Sequence, residues 1–233
     1  MKKSDILVVV PSYNNPNSIE NVAKDILGQG YKLVLVDDGS IPKVDFEYEN
    51  LTILRHDENL GKGMAIMSGA KEAKRLGYKY FVSLDGDGQH LASEIEKLIK
   101  SCDGEDQIII GARNFDIQNV PNGSKFGRWF SNLWACWDTG QHIGDSLSGL
   151  RLYPISILDL KLKTRGFDWE MEVLVKHAWK GRIIKEKNIK CYYPKPEERV
   201  SHFKKFRDTM AIVWVHIRLL PLKPILKRLP ENR

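Results

Sequence analysis

Residues 80–90 read YFVSLDGDGQH: an apolar run stops abruptly at two carboxylates and an amide separated by glycines. If residues 80–84 form a buried strand, residues 85–90 are the loop at its C-terminal end. In extended backbone, residues two apart project to the same side, so Asp85, Asp87 and Gln89 can converge on one point. Oxygen donors at that spacing suit a hard divalent cation, Mg²⁺ or Mn²⁺, which would in turn hold a diphosphate. Gly86 and Gly88 let the backbone bend and a ligand come close. An isolated Asp-Gly-Asp is also a common solvated turn, so the neighbouring stretches must decide.

Upstream, residues 6–10 (ILVVV) are a continuous aliphatic run, as expected of a strand buried on both faces of a parallel sheet. Ile19, Val22, Ala23, Ile26 and Leu27 recur at helical spacing. Residues 33–36 repeat the strand pattern and end in DDGS, 52–54 read as a short third strand, 64–76 as a helix and 80–84 as the fourth strand. A helix over 92–100 and a strand over 107–110 follow. This alternation predicts a doubly wound α/β fold with a mostly parallel central sheet flanked by helices, whose ligands bind beyond the C-terminal ends of the strands. Three of those ends carry polar clusters: 11–15, 37–40 and 85–90.

The second half is less regular. Phe126, Trp129, Phe130, Leu133, Trp134 and Trp137 space out as one helix face, which suits a core or, with three tryptophans, a membrane interface. Residues 145–154 (DSLSGLRLYP) read as a loop into a short strand, 170–180 as an amphipathic helix and 182–189 as a last strand. Residues 206–220 carry apolar side chains nearly all round a helix, and Pro221 and Pro224 break it.

With 233 residues, 42% hydrophobic and 28% charged, the chain can bury a sizeable core and does not read as disordered. Cys102, Cys136 and Cys191 lack metal-ligand spacing and leave one thiol over under any pairing, which points to a reducing compartment. The N-terminal apolar run is too short for a signal peptide or a membrane span, so a cytoplasmic location is expected. The net charge of +6 is unevenly placed: residues 199–233 carry nine Lys/Arg against two Asp/Glu. Interleaved with apolar residues, that basic end reads as an amphipathic extension for an anionic membrane surface or a partner groove rather than for nucleic acid. The expected division is therefore a domain over 1–198 and an extension over 199–233. Gly61-Lys62-Gly63 lacks the rest of a Walker loop, and no dinucleotide fingerprint follows Val10, which sets aside ATPase and dehydrogenase readings. The Gly-rich, basic start of a nucleotidyltransferase is also missing.

Taken together, VVVPSYN (8–14), LVDDGS (35–40), NLGKG (59–63), LDGDGQH (84–90), Gly111 with Arg113, DSLSGLR (145–151) and FDWEME (167–172) resemble the inverting family 2 glycosyltransferases of GT-A fold, and among them the dolichyl- and polyprenyl-phosphate sugar synthases. That resemblance implies a nucleotide-sugar, UDP- or GDP-linked, held by Pro11, Tyr13, Asn15, Asp37, Asp38, Lys62 and Asp85; Asn15 stands where the family often has Glu. It implies a Mg²⁺ or Mn²⁺ ion on Asp85, Asp87 and Gln89, with Asp87, Glu172, Arg113 and Arg151 at the chemistry. An acceptor would meet Arg113, Arg128, Ser131, Asp145, Arg151, Arg199 and His202. A lipid phosphate is already ionised and needs cations, whereas a hydroxyl acceptor needs a general base, for which Asp168, Glu170 and Glu172 are the candidates. The implied place of action is the inner face of the cell membrane, with peripheral contact through the extension; a homodimer is left open. A membrane-recruited module that binds nucleotide or lipid without chemistry is the alternative of another class.

Overall fold

The computed structural model describes residues 1–113, 122–192 and 205–219. Its centre is β1 (Ile6–Ser12), in which Ile6 to Val10 are each at most 1% exposed. Burying such a side chain stabilises by about 1.5–3 kcal/mol, so a strand made of five of them belongs where a sheet is covered on both faces. Leu7 and Val9 enter one core with α2 (Lys62–Arg75) and α5 (Trp169–Trp179), while Ile6, Val8 and Val10 enter the other with α1 (Ile19–Gly28) and α3 (Ile95–Ser101).

Among the described residues the sheet has seven strands in the order β3-β2-β1-β4-β6-β5-β7. They are β2 (Lys32–Asp37), β3 (Leu51–Arg55), β4 (Tyr80–Ser83), β5 (Ile108–Arg113), β6 (Arg151–Pro154) and β7 (Ile184–Ile189). Only β6 runs antiparallel to its neighbours. The chain leaves β1 to one side through β2 and β3, then returns to the other side as β4. That reversal opens a crevice beyond the C-terminal ends of β1 and β4, where ligands of such sheets bind, and it is where Asp85 and Asp87 emerge.

Several boundaries differ from the sequence reading for identifiable reasons. β1 runs beyond the aliphatic stretch at 6–10, through Pro11 to Ser12: Val9 O accepts from Leu84 N and Ser12 O from Asp38 N. Odd positions of β1 therefore direct their backbone groups at β4 and even ones at β2. The missing Pro11 N–H faces the β4 side, beyond the last residue of β4, where no ladder partner is lost. β5 runs on to Arg113 because β7 pairs with it along its whole length. The expected helix over 92–100 is a 3₁₀ turn (Ala92–Glu94) followed by α3, and the last strand starts at Ile184 instead of 182.

The apolar residues around the C-terminal helix, α6 (Lys205–Leu219), have two destinations. Ile212, Val215 and Leu219 join the core that holds α5, while Met210, Trp214 and Ile217 are about half or more exposed. His216 anchors α6 to α4 (Asn122–Thr139) through its Nδ1, 2.5 Å from Asp138 Oδ2, and stacks at a tilt on Trp134. Arg218 reaches Glu172 of α5 at 2.9 Å. This part of the extension is thus packed on the domain.

In α5 the inward set is wider than the amphipathic pattern suggested, since Glu170, Glu172 and His177 are buried as well. Burial, aided by the Arg182 charge, pushes the His177 imidazole down to about 4. Its folded pKa lies below its unfolded one, so the unfolded chain takes up a proton first as the pH drops. The stability His177 contributes is complete above its unfolded pKa and is lost as pH falls toward its folded value, at about 1.4 kcal/mol per pH unit in that window. Urea denaturation at pH 7.5 and 5.5 should show a pH slope that His177→Leu reduces. Buried His90, also lowered to about 4, titrates in the same window and remains in both proteins, so the difference belongs to His177.

Candidate active site

Hydrogen bonds draw three strand ends together. Asn14 donates its N–H to Ser40 Oγ (2.9 Å) and accepts from Ile41 N at Oδ1 (2.8 Å), tying the loop after β1 to the loop after β2. Ser18 Oγ donates to Gly86 O (2.7 Å), tying the start of α1 to the loop after β4. Pro11 is buried at the end of β1, and Tyr13 and Asn15 are half-buried beside it. A cavity of about 120 Å³ opens between the first two loops, lined by Asn14, Asn15, Ser40 and Phe46 among others.

At the end of β4, Lys62 Nζ lies 2.7 Å from Asp85 Oδ1 and 3.2 Å from Glu170 Oε2. Burial alone would depress the Lys62 ammonium; the two carboxylates outweigh it and raise its pKa. Asp85 is likewise opposed by burial, yet Lys62, with smaller help from His90 and Arg113, keeps it ionised below the usual carboxylate range. Among the described residues no cation pairs directly with Asp87, and burial and the Asp85 charge push it up to about 6. Its Oδ1 accepts from Gln89 N at 3.0 Å, and Gln89 O accepts from Tyr192 N at 2.9 Å, fixing the loop. Two carboxylates that raise one another's ionisation cost form a donor set that a cation would relieve.

Two expected nucleotide contacts take a different part. Asp37 is fully buried and accepts from Ser40 N, Val44 N and Arg55 Nη1. Asp38, 2% exposed, accepts from Leu60 N and Gly61 N and meets His56 Nδ1 at 2.6 Å. Each carboxylate makes three such bonds, which build the loops after β2 and before α2. Sequence shows the doublet but not these partners.

The described acceptor candidates share one network. Arg113 donates to both oxygens of Asp145 from Nε (2.8 Å) and Nη2 (2.9 Å), and Arg128 Nη1 donates to Arg113 O. Ser131 Oγ meets Ser146 Oγ at 3.0 Å. Arg151 was expected at the chemistry, yet it is fully buried and donates to Ser146 O, Ser148 O, Glu170 O and Tyr153 Oη. It braces the 145–151 loop against α5. Arg199 and His202 lie outside the described residues.

Comparison with known sequences adds the family. The sequence model described as Glycosyl transferase family 2 matches residues 7–153. The chain belongs to glycosyl transferase family 2. An uncharacterized protein of Methanocaldococcus jannaschii is 31% identical over 83% of this chain and 84% of its own. The UDP-N-acetylglucosamine–dolichyl-phosphate N-acetylglucosaminyltransferase of Methanococcus voltae is 27% identical over 94% and 96%. Among solved structures, mannosyl-3-phosphoglycerate synthase from Rubrobacter xylanophilus shares the fold with a TM-score of 0.67 at 13% identity, covering 97% of this chain and 77% of that one. Glucosyl-3-phosphoglycerate synthase from Mycobacterium tuberculosis, in complex with Mn²⁺, UDP-glucose and phosphoglyceric acid, follows at 0.62 and 15%, over 97% and 81%. The architecture is the GT-A glycosyltransferase fold.

In this glycosyltransferase Glu172 is not at the crevice. Its Oε2 accepts from Lys163 N, Thr164 N and Thr164 Oγ1, and its Oε1 is held by Lys176 and Arg218. Those bonds outweigh burial and keep its pKa low, the opposite of what a general base needs. Glu172→Ala should therefore cost about 3–5 kcal/mol in denaturant unfolding by stranding Lys176 and Arg218. Of the three carboxylates considered as bases, Glu170 shares Lys62 with Asp85; Asp168 accepts from Gly166 N and is raised by burial.

The glycosyltransferase also uses residues that pattern reading missed. A Cβ on Gly149 would lie 2.0 Å from Asp85 Oδ2, so this glycine lets the 145–151 loop back directly onto the carboxylate. Its place in DSLSGLR was the available signal. Glu186 of β7 accepts from Gly144 N and Asp145 N, and nothing in its strand context announced that.

Proposed function

We propose that this glycosyltransferase moves a sugar from a UDP- or GDP-sugar to a polyprenyl phosphate, at the inner face of the cell membrane. The observation that carries the reading is the two-sided charge of the crevice: Asp85 and Asp87 at the β4 end, and Arg113 and Arg128 at the β5 end. The acidic pair, with Gln89, would hold Mg²⁺ or Mn²⁺. No cluster of three or more His, Cys, Asp or Glu side chains forms a complete metal cage among the described residues, and a pair that leaves positions for diphosphate oxygens fits such an ion. When bound, the ion supplies charge neutralisation to the departing nucleoside diphosphate.

The chain's own residues do the rest. Pro11, Tyr13 and Asn15 border the nucleotide, and Lys62 keeps Asp85 ionised and oriented. Arg113 and Arg128 would bind the acceptor phosphate, a role the resemblance also gives to Arg199 and His202, and the phosphate oxygen attacks the anomeric carbon as the bond to the diphosphate breaks. That oxygen carries no proton to remove, consistent with the burial of Glu172. The relative from Methanococcus voltae, named for a dolichyl-phosphate acceptor, supports this choice.

The test is transfer from UDP- and GDP-sugars with Mn²⁺ to three acceptors: a polyprenyl phosphate, the matching polyprenol and 3-phosphoglycerate. Product on the polyprenyl phosphate alone is expected. Equal transfer to the polyprenol would favour the hydroxyl reading with Glu170 as base. Transfer to 3-phosphoglycerate alone would replace the lipid acceptor.

A further inference from the structure

The turn 144–146, which opens the DSLSGLR loop, is held from two sides by side chains of other elements. Glu186 of β7 accepts from Gly144 N with both oxygens at 2.8 Å, and from Asp145 N with Oε1 at 2.8 Å. Asn132 of α4 donates from Nδ2 to Gly144 O, while its Oδ1 accepts from Ser146 N at 2.9 Å and lies 2.8 Å from Ser146 Oγ. Each side chain suits what it meets: a carboxylate only accepts, and Glu186 faces two successive N–H groups, whereas an amide both donates and accepts, and Asn132 faces a carbonyl and an N–H. Gly144 is part of the seat, since a Cβ there would stand 3.0 Å from Glu186 Oε2.

Asp145 lies between these anchors. Its fully buried carboxylate accepts from Arg113 N at 3.0 Å, Nε at 2.8 Å and Nη2 at 2.9 Å. Two side-by-side N–H···O bonds fix the plane of a guanidinium as well as its position. Arg113 keeps 17% of its side chain exposed where Asp145 keeps none, so the group held in that plane reaches the surface. Asn132 also stands one helical turn after Arg128 on α4, and Arg128 Nη1 donates to Arg113 O. The same amide thus ties the helix that carries one arginine to the turn that aims the other.

We infer that Glu186 and Asn132 are positioning residues for the acceptor phosphate: by clamping the turn 144–146 they fix the plane of the Arg113 guanidinium and its distance from Arg128. This rests on the proposed phosphate acceptor. Slack in the turn would leave both arginines charged but misaligned for one anion, which weakens acceptor binding and spares the donor. The donor side is insulated because the rest of the loop has its own anchors, Ser148 Oγ on Gly111 O and Arg151 on Ser146 O and Ser148 O.

Glu186→Gln sets an amide N–H group against the backbone N–H groups at unchanged size, and Asn132→Asp sets an anion against Gly144 O. In transfer assays each variant should raise the KM for polyprenyl phosphate about tenfold, part of the loss expected from misplacing an orienting group by about 1 Å. The KM for nucleotide-sugar, and thermal stabilisation by nucleotide with Mn²⁺, should not change. Gly144→Ala, which crowds Glu186 without removing it, should give the same split and serves if Glu186→Gln does not fold. Placing Glu186→Gln in an Arg113→Lys chain separates positioning from support. Lysine cannot make the bidentate bond, so nothing is left to align, and the acceptor KM should rise no further than with Arg113→Lys alone. An equal rise in both backgrounds would overturn the inference, as would an acceptor KM at the wild-type value or donor and acceptor KM rising together. The same split with 3-phosphoglycerate as the acceptor used would leave the clamp standing and sink the lipid acceptor instead.

Discussion

Asp87→Ala is expected to lower sugar transfer by roughly a hundred- to a thousandfold, the range seen when one preorganised electrostatic contact to developing charge is lost. The size follows from the setting. Asp85 already has one oxygen on Lys62, while Asp87 pairs directly with no cation among the described residues and is destabilised by burial beside Asp85. A divalent ion bound there would have Asp87 as its least committed ligand. Removing that carboxylate also removes a repulsion inside the fold, so the variant should unfold no more easily than wild type without metal. Transfer assays at saturating Mn²⁺ beside a metal-free denaturation curve check both halves. Loss of activity with loss of stability would mean a structural part for Asp87.

Gly149→Ala should be nearly as damaging, for a different reason. The new methyl would occupy space within 2.0–2.7 Å of the Asp85 carboxyl atoms. The atoms in the way are the end of a short side chain, so the cheapest relief is for Asp85 to swing off Lys62. The fold should survive at a cost of about 1–3 kcal/mol, typical of overpacking, while transfer falls about a hundredfold through the misplaced carboxylate. Activity at wild-type level with a large loss of stability would show that the loop moves instead and that Asp85 holds its place.

Much of this was legible because the signals are local. The uninterrupted aliphatic run of β1 and the abrupt change at Asp85 are consequences of a strand buried on both faces and ending at a crevice, and both show in the order of residues. What was not legible depends on partners distant in sequence. Glu172 lies in a motif that invites a catalytic role, and only the approach of Arg218, 46 residues later, and of Thr164 shows its carboxylate to be saturated. Arg151 and the Asp37/Asp38 doublet show the same limit: charged residues near a strand end suggest ligand contact, and their burial and protein hydrogen bonds appear in no local pattern. The helix at 205–219 looked apolar all round because its two faces serve the core and the exterior, and hydropathy alone does not separate the two.

Whether the acidic end of β4 takes a divalent ion together with a nucleoside diphosphate is read from thermal unfolding of wild type and Asp87→Ala with UDP, GDP and their sugars, each with and without Mn²⁺. Ligand at a hundred times its dissociation constant stabilises by about 2.7 kcal/mol, or roughly 5–10 °C for a chain of this size. One nucleotide series should raise the wild-type midpoint by such an amount only when Mn²⁺ is present, and Asp87→Ala should lose the metal-dependent part. An equal, Mn²⁺-dependent rise in both proteins would mean that Asp87 does not hold the ion.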